Sequence, residues 1–123
     1  MAAVSGDFGF SQAVLTASWT RITPSPADTT IPATAGDKLT LMNNGGAAMY
    51  VIKRTHVSGS PSPALPAATL AGALADAGLV AAIQPSQEIA IPAPKASLPD
   101  FVRVNDYYVW GEADGPMRVN PIN

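Results

Sequence analysis

The chain has 123 residues, carries seven basic and nine acidic side chains, contains no cysteine and has a formal net charge of −2. That length fits one domain around one core, and the missing cysteines exclude a disulfide framework, thiolate chemistry and zinc–thiolate sites. Charged residues make up only 13% of it, against roughly 25–35% on the surface of a comfortable free-standing domain, so the composition points to one part of a larger assembly.

The shortage is uneven, because between Thr55 and Pro94 only Asp76 and Glu88 are charged. The apolar fraction of 47% includes 22 alanines, which bury little area each, so the core is expected to be small and supplemented by neighbours. The uncharged stretch Ala77 to Gln87 is too short and too polar for the ~20 apolar residues of a membrane span. The first residues lack the basic start and apolar run of a signal peptide, which predicts a protein that works where it is made or leaves by lysis. Basic residues stand singly apart from Lys53-Arg54, so no electrostatic footprint for nucleic acid is expected.

In chain order, residues 1–10 read as an N-terminal arm, with Gly6 and Gly9 among small residues and Phe8 and Phe10 as its anchors. Ser11 to Ile22 alternates Ala13, Leu15, Ala17 and Trp19 against Val14, Thr16, Ser18 and Thr20, the period of one half-buried strand. Thr23 to Pro32 holds three prolines and predicts an extended connection. Leu39 to Met42 and Ala47 to Thr55 flank Asn43-Asn44-Gly45-Gly46, and Asn-Gly is the preferred pair for a tight hairpin turn. In the second run Met49, Val51 and Lys53 share one face and Tyr50, Ile52 and Arg54 the other.

Ser58 to Pro66 is a loop by composition. Ala67 to Ala77 is the helix candidate, with Leu70, Leu74 and Ala77 on one face, Gly78 to end it, and Gly72 inside costing about 1 kcal/mol relative to Ala. Glu88 to Ile91 is a strand closed by Pro92 and Pro94, which suits a sheet edge. Phe101 to Val104, Tyr107 to Glu112 and Met117 to Val119, separated by turns at Asn105-Asp106 and Asp114-Gly115, predict a three-stranded meander. Residues 120–123 read as a tail. The expected fold is all-β: a small β-sandwich or barrel of about seven short strands over residues 11–119, with one short helix and extended terminal arms.

Chemistry is sparse. His56 is the only histidine, and no sequence signature supplies the acid and nucleophile that a catalytic base needs. No cofactor or metal site is predicted. Asp100, Asp106, Glu112 and Asp114 cluster in sequence and could pair as glycosidase carboxylates, but turn and strand-end roles account for them. Tyr108 and Trp110 share a strand face; exposed, they would make a stacking platform for a glycan or partner, and buried they would fill core.

Gly36-Asp37-Lys38-Leu39-Thr40-Leu41-Met42-Asn43-Asn44-Gly45, Met49-Tyr50-Val51, Gln84-Pro85-Ser86-Gln87-Glu88-Ile89-Ala90-Ile91-Pro92, and Tyr108-Val109-Trp110 with Met117-Arg118-Val119 resemble, as a pattern of elements, the small β-sandwich structural proteins of tailed bacteriophages. The Pro-rich and Ala-rich stretch from Ser58 to Leu79 departs from that pattern. The resemblance implies a non-enzymatic virion protein, foremost a capsid decoration (cement) protein on the capsid surface. Its partners would be the major capsid protein or other virion proteins and sister subunits, with a homotrimer favoured. The alternatives are a phage tail or head-fibre component, or a glycan-binding adhesin module. Phe8, Phe10, Leu65, Leu70 and Leu74 are the candidate partner contacts.

Overall fold

The computed structural model describes residues 10–22, 38–57, 63–92 and 103–122. The expected arm at residues 1–9, the extended connection after Ile22, the first half of the Ser58 to Pro66 loop, Asp100 and the final residue lie outside these. Eight strands form two antiparallel four-stranded sheets: β1 Phe10–Val14, β2 Thr20–Arg21, β3 Lys38–Asn43, β4 Met49–Val57, β5 Leu79–Ile83, β6 Glu88–Pro92, β7 Arg103–Gly111 and β8 Gly115–Ile122. One helix, α1 Leu70–Ala75, lies between β4 and β5.

One sheet runs β1-β8-β3-β6 and the other β2-β7-β4-β5. Strands consecutive in sequence therefore alternate between sheets at β1–β2, β3–β4, β5–β6 and β7–β8, and that order is a jelly roll. The fold is an all-β sandwich, as the composition and turn spacing predict, and not a closed barrel. The register places these four crossings at one end, where Val14, Asn43, Met49, Ile83, Gly111 and Gly115 lie.

The core is the layer between the sheets. Val14, Leu39, Leu41, Ile91, Met117 and Val119 project from one sheet and Met49, Val51, Ile83, Tyr107 and Val109 from the other, with Ile22 beside them. Alternation explains these assignments: Leu39 and Leu41 in β3, and Met49 and Val51 in β4, are two residues apart and face inward.

The predicted hairpin at Asn43-Asn44-Gly45-Gly46 is not one. β3 pairs with β6 and β8, and β4 with β5 and β7, so this turn carries the chain across the sandwich. Asn43, fully buried, determines the geometry. Its Oδ1 accepts from the Gly45 amide at 2.8 Å, and its Nδ2 donates to the carbonyls of Ala47 and Ile83, each at 2.8 Å. The Asn43 amide donates to the Gln87 carbonyl, and its own carbonyl accepts from the Ser86 amide. Ser86, at φ 70° after Pro85, sits where a type II turn demands positive φ. The glycine at 115 is needed for a close approach: a Cβ added there would stand 3.0 Å from the Gly45 Cα.

The turn predicted at Asn105-Asp106 is also absent, because Arg103–Gly111 is a single strand paired along its length with β4. Asp106 is buried and ion-paired to Arg21 at 3.1 Å. β7 and β8 lie in different sheets, so the meander is replaced by another crossing. The single strand expected from Ser11 to Ile22 breaks at residues 16–18 into β1 and β2, and in β1 Val14 is the buried residue while Ala13, and Leu15 just after the strand, are exposed. Phe10 opens β1 instead of ending an arm, and β8 continues through Asn120–Ile122, paired with β3. β6 is an edge strand, as its proline predicts.

Asn43→Ala leaves the Ala47 and Ile83 carbonyls without their buried donor, and should lower the unfolding free energy by about 2–3 kcal/mol. A urea titration checks this; an unchanged midpoint would mean the amide is dispensable.

Candidate interaction surface

The outer face of the β2-β7-β4-β5 sheet is built from the residues of β4 and β7 that do not enter the core: Tyr50, Ile52 and Arg54, with Tyr108 and Trp110. Residues 63–78, with α1 at their centre, lie over it. Tyr50, Trp110, Ala48 and Ala73 form a second buried cluster there, joined by Trp19, Ala68 and Leu79. The rings of Tyr50 and Trp110 stand 5.7 Å apart at 32°, and those of Trp19 and Trp110 6.3 Å apart at 42°, tilted contacts that bury large apolar area. Each polar tip is satisfied: Trp110 Nε1 donates to the Thr16 carbonyl at 2.9 Å, Trp19 Nε1 to that of Ala67 at 3.3 Å, and the Tyr50 hydroxyl to Glu112 Oε2 at 2.8 Å. Burial and the neighbouring carboxylate both raise the Tyr50 pKa.

α1 begins one turn later than predicted. Thr69, extended at φ −142°, caps it by accepting from the Gly72 amide at 3.0 Å. Gly72 fits because a Cβ there would collide with the Ala67 carbonyl. The helix ends at Asp76, whose carboxylate receives the Gly78 amide and a forked ion pair from Arg54, Nη1 to Oδ2 at 2.8 Å and Nη2 to Oδ1 at 2.6 Å. Arg54 Nε also donates to the Ala64 carbonyl at 3.1 Å. The guanidinium hydrogen bonds, aided by the Gly78 amide, outweigh desolvation and hold Asp76 below the ordinary carboxylate pKa.

The helix is rotated so that Ala73, not the leucines, meets the sheet. Leu70 and Leu74 are 41% and 57% exposed, Leu65 ahead of them 39%, and Val80 in β5 45%. Leu70 and Leu74 share one helix face by their spacing. Of the predicted contact residues, Leu65, Leu70 and Leu74 are thus exposed, all within the charge-poor stretch of the sequence. Phe10 contributes backbone pairing to Val119 at the opposite edge of the sandwich, and Phe8 lies outside the described residues.

The aromatic platform of Tyr108 and Trp110 does not exist as an exposed surface, since Trp110 is 4% exposed and sealed under this cover. The C-terminal carboxylates go to separate partners: Asp106 to Arg21, Glu112 to Tyr50, and Asp114 Oδ1 to the Thr16 amide at 2.8 Å. His56 belongs to the β4–β7 ladder opposite Val104. Among the described residues no group of three His, Cys, Asp or Glu side chains could hold a metal ion, and no helix is long and apolar enough to cross a membrane.

Sequence reasoning missed Trp19, Tyr50 and the Arg54–Asp76 pair. One signal for the pair was present: an acid alone in an apolar stretch requires a cation once it is covered. Comparison with family models, with curated proteins and with solved structures finds no match to this chain.

Two outcomes follow for this face. Trp110→Ala should cost about 3–5 kcal/mol of stability, as a core ring does, measured by thermal denaturation. Because the folded pKa of Asp76 lies below its reference value of 3.8, its contribution is complete above that value and fades as the pH falls through the folded pKa. In Asp76→Asn that part of the acid limb should be missing from a stability–pH curve, while neutral-pH stability drops by about 1.5–3 kcal/mol.

Proposed function

We propose that this chain is a non-enzymatic structural protein of a virion, acting as a capsid decoration protein that docks on the shell and on sister subunits. The carrying observation is the exposed group Leu65, Leu70, Leu74 and Val80 in the stretch of the chain with almost no charge. Apolar residues left exposed within one charge-poor stretch, on a chain short of solubilising charge, fit a surface covered by another molecule. The jelly roll adds an architectural analogy, because capsid domains use it; lectin domains and cupins use it too, so the surface and not the fold carries the reading.

Docking in this scheme is burial of the leucines against neighbouring chains, at about 25 cal/mol per Å² of apolar area before the entropic cost of association. The favoured assembly is a trimer on the capsid surface, and a tail or head-fibre position is the second placement. The adhesin alternative loses its aromatic platform to the core. The test is the native mass of the purified chain by light scattering, beside Leu70→Glu combined with Leu74→Glu. The chain should associate beyond 12.6 kDa in a concentration-dependent way, and the double variant should be monomeric with an unchanged far-UV spectrum. A wild-type monomer at every concentration, or a variant that associates equally well, would overturn the reading.

A further inference from the structure

Asn44-Gly45 is the one Asn-Gly pair of the chain, and it carries a chemistry of its own. The main-chain nitrogen that follows an asparagine can attack the asparagine Cγ, and a glycine there leaves the nitrogen unshielded because it has no Cβ. The new N–Cγ bond closes a succinimide, the Cγ–Nδ2 bond breaks, and the proton given up by the nitrogen departs with the amine as ammonia. Water then opens the ring to aspartate or isoaspartate, either of which carries a negative charge that asparagine lacks.

Packing at the crossing turn keeps this reactive pair in the sequence. A Cβ on Gly45 would stand 3.2 Å from Met49 Cε, 3.3 Å from Asn43 Oδ1 and 3.4 Å from Gly115 Cα. The folded turn also opposes the reaction. The Gly45 N–H donates to Asn43 Oδ1 at 2.8 Å, so the proton that attack must remove is engaged by a carboxamide oxygen, which is too weak a base to take it. Asn43 is held in turn by its Nδ2 bonds to the Ala47 and Ile83 carbonyls. On the other side the Asn44 amide donates to the Pro116 carbonyl at 3.1 Å. Swinging the Gly45 nitrogen toward Asn44 Cγ turns the peptide plane between these two anchors and breaks the bond to Asn43. Asn44 itself is exposed, so water for the second step is at hand.

We propose that Asn44 is a site of spontaneous deamidation which the Asn43 carboxamide holds in check in the folded chain, and that the reaction runs when the Gly45 amide is released by opening of the turn. The rate then follows the population in which that hydrogen bond is broken, whether by local or by global opening. Isoaspartate routes the main chain through Cγ and lengthens it by one methylene, at a turn where Gly45 and Gly115 already meet backbone to backbone, so the altered chain does not fit the crossing as built. The inference stands on the hydrogen bonds of this turn and is independent of the assembly reading.

The test incubates the full chain at neutral pH, folded and in guanidinium chloride, and follows the tryptic peptide from Leu39 to Lys53 by mass spectrometry, with fragmentation to place the change. Deamidation in denaturant should concentrate at Asn44 and should be at least about tenfold slower in the folded chain. Asn43→Ala removes the acceptor of the Gly45 amide, and its rate without denaturant should exceed severalfold that of Ile91→Ala, a core truncation that weakens the whole fold but leaves the Asn43 bonds in place. Equal rates for the folded and unfolded wild-type chain would overturn the proposal, and so would an Asn43→Ala rate no higher than that of Ile91→Ala. Should Asn43→Ala fail to fold, hydrogen exchange of the Gly45 amide in the wild-type chain decides: protection supports the hold by Asn43, and exchange at the speed of the unfolded chain removes it.

Discussion

Asn43 stands fully buried at the end of β3, where the chain crosses from one sheet to the other, and the connections around it are arranged by its hydrogen bonds. Its carboxamide holds the turn between β3 and β4 through Gly45 and Ala47, and reaches Ile83 at the start of the turn between β5 and β6. Its backbone fixes Ser86 and Gln87 in that second turn. The neighbouring Asn44 amide donates to the Pro116 carbonyl, which brings in β8. A buried amide is tolerated only when its donors and acceptors are met, and meeting them requires these turns to sit side by side. The jelly-roll order of the strands is compatible with that requirement, whereas a hairpin at the same four residues would have left Ile83 and the β5–β6 turn without this partner.

The scarcity of charge has a structural counterpart. Asp76 and Glu88 are the only charges between Thr55 and Pro94, and Asp76 is consumed by Arg54 at 13% and 10% side-chain exposure. The pair is therefore shielded from solvent and weakly screened by salt, in contrast to Arg21–Asp106, whose arginine is half exposed. With Asp76 neutralised, the surface around α1 has almost nothing to keep it hydrated as an isolated chain. Attachment of the segment and exposure of its leucines are two results of one allocation.

Strand content was legible because alternation survives in short windows: the faces of β4, the inward Leu39 and Leu41, and the edge position of β6 all follow from residue period and from Pro92. Pairing was not legible. Asn-Gly reports a chain reversal, and reversal within a sheet and reversal between sheets use the same residues; only the long-range hydrogen bonds of Asn43 separate them. β5 was hidden because Leu79 to Ile83 lies in an Ala-rich run with no clear alternation, and its register slips at Val51/Ile52. The break at residues 16–18 follows from Trp110 Nε1 reaching the Thr16 carbonyl and Asp114 reaching the Thr16 amide, contacts nearly a hundred residues apart. At the candidate surface, the leucines were visible as apolar residues of a charge-poor segment, but the floor of aromatic rings was not.

That floor decides the rotation of the helix. A helix read alone turns its largest apolar residues inward, and for Leu70 and Leu74 this would place two branched side chains against Tyr50 and Trp110. The rings already stack on one another and on Trp19, so the space above them accommodates a methyl group, and Ala73 takes it. Forcing a leucine into such a space costs about 1–3 kcal/mol in overpacking, comparable to the roughly 1.5–3 kcal/mol of burial that it would gain. With no net gain from the inward rotation, the Arg54–Asp76 fork and the Thr69 cap set the orientation, and both favour the one observed. The consequence is a helix whose leucine face is left exposed by the packing of the domain beneath it.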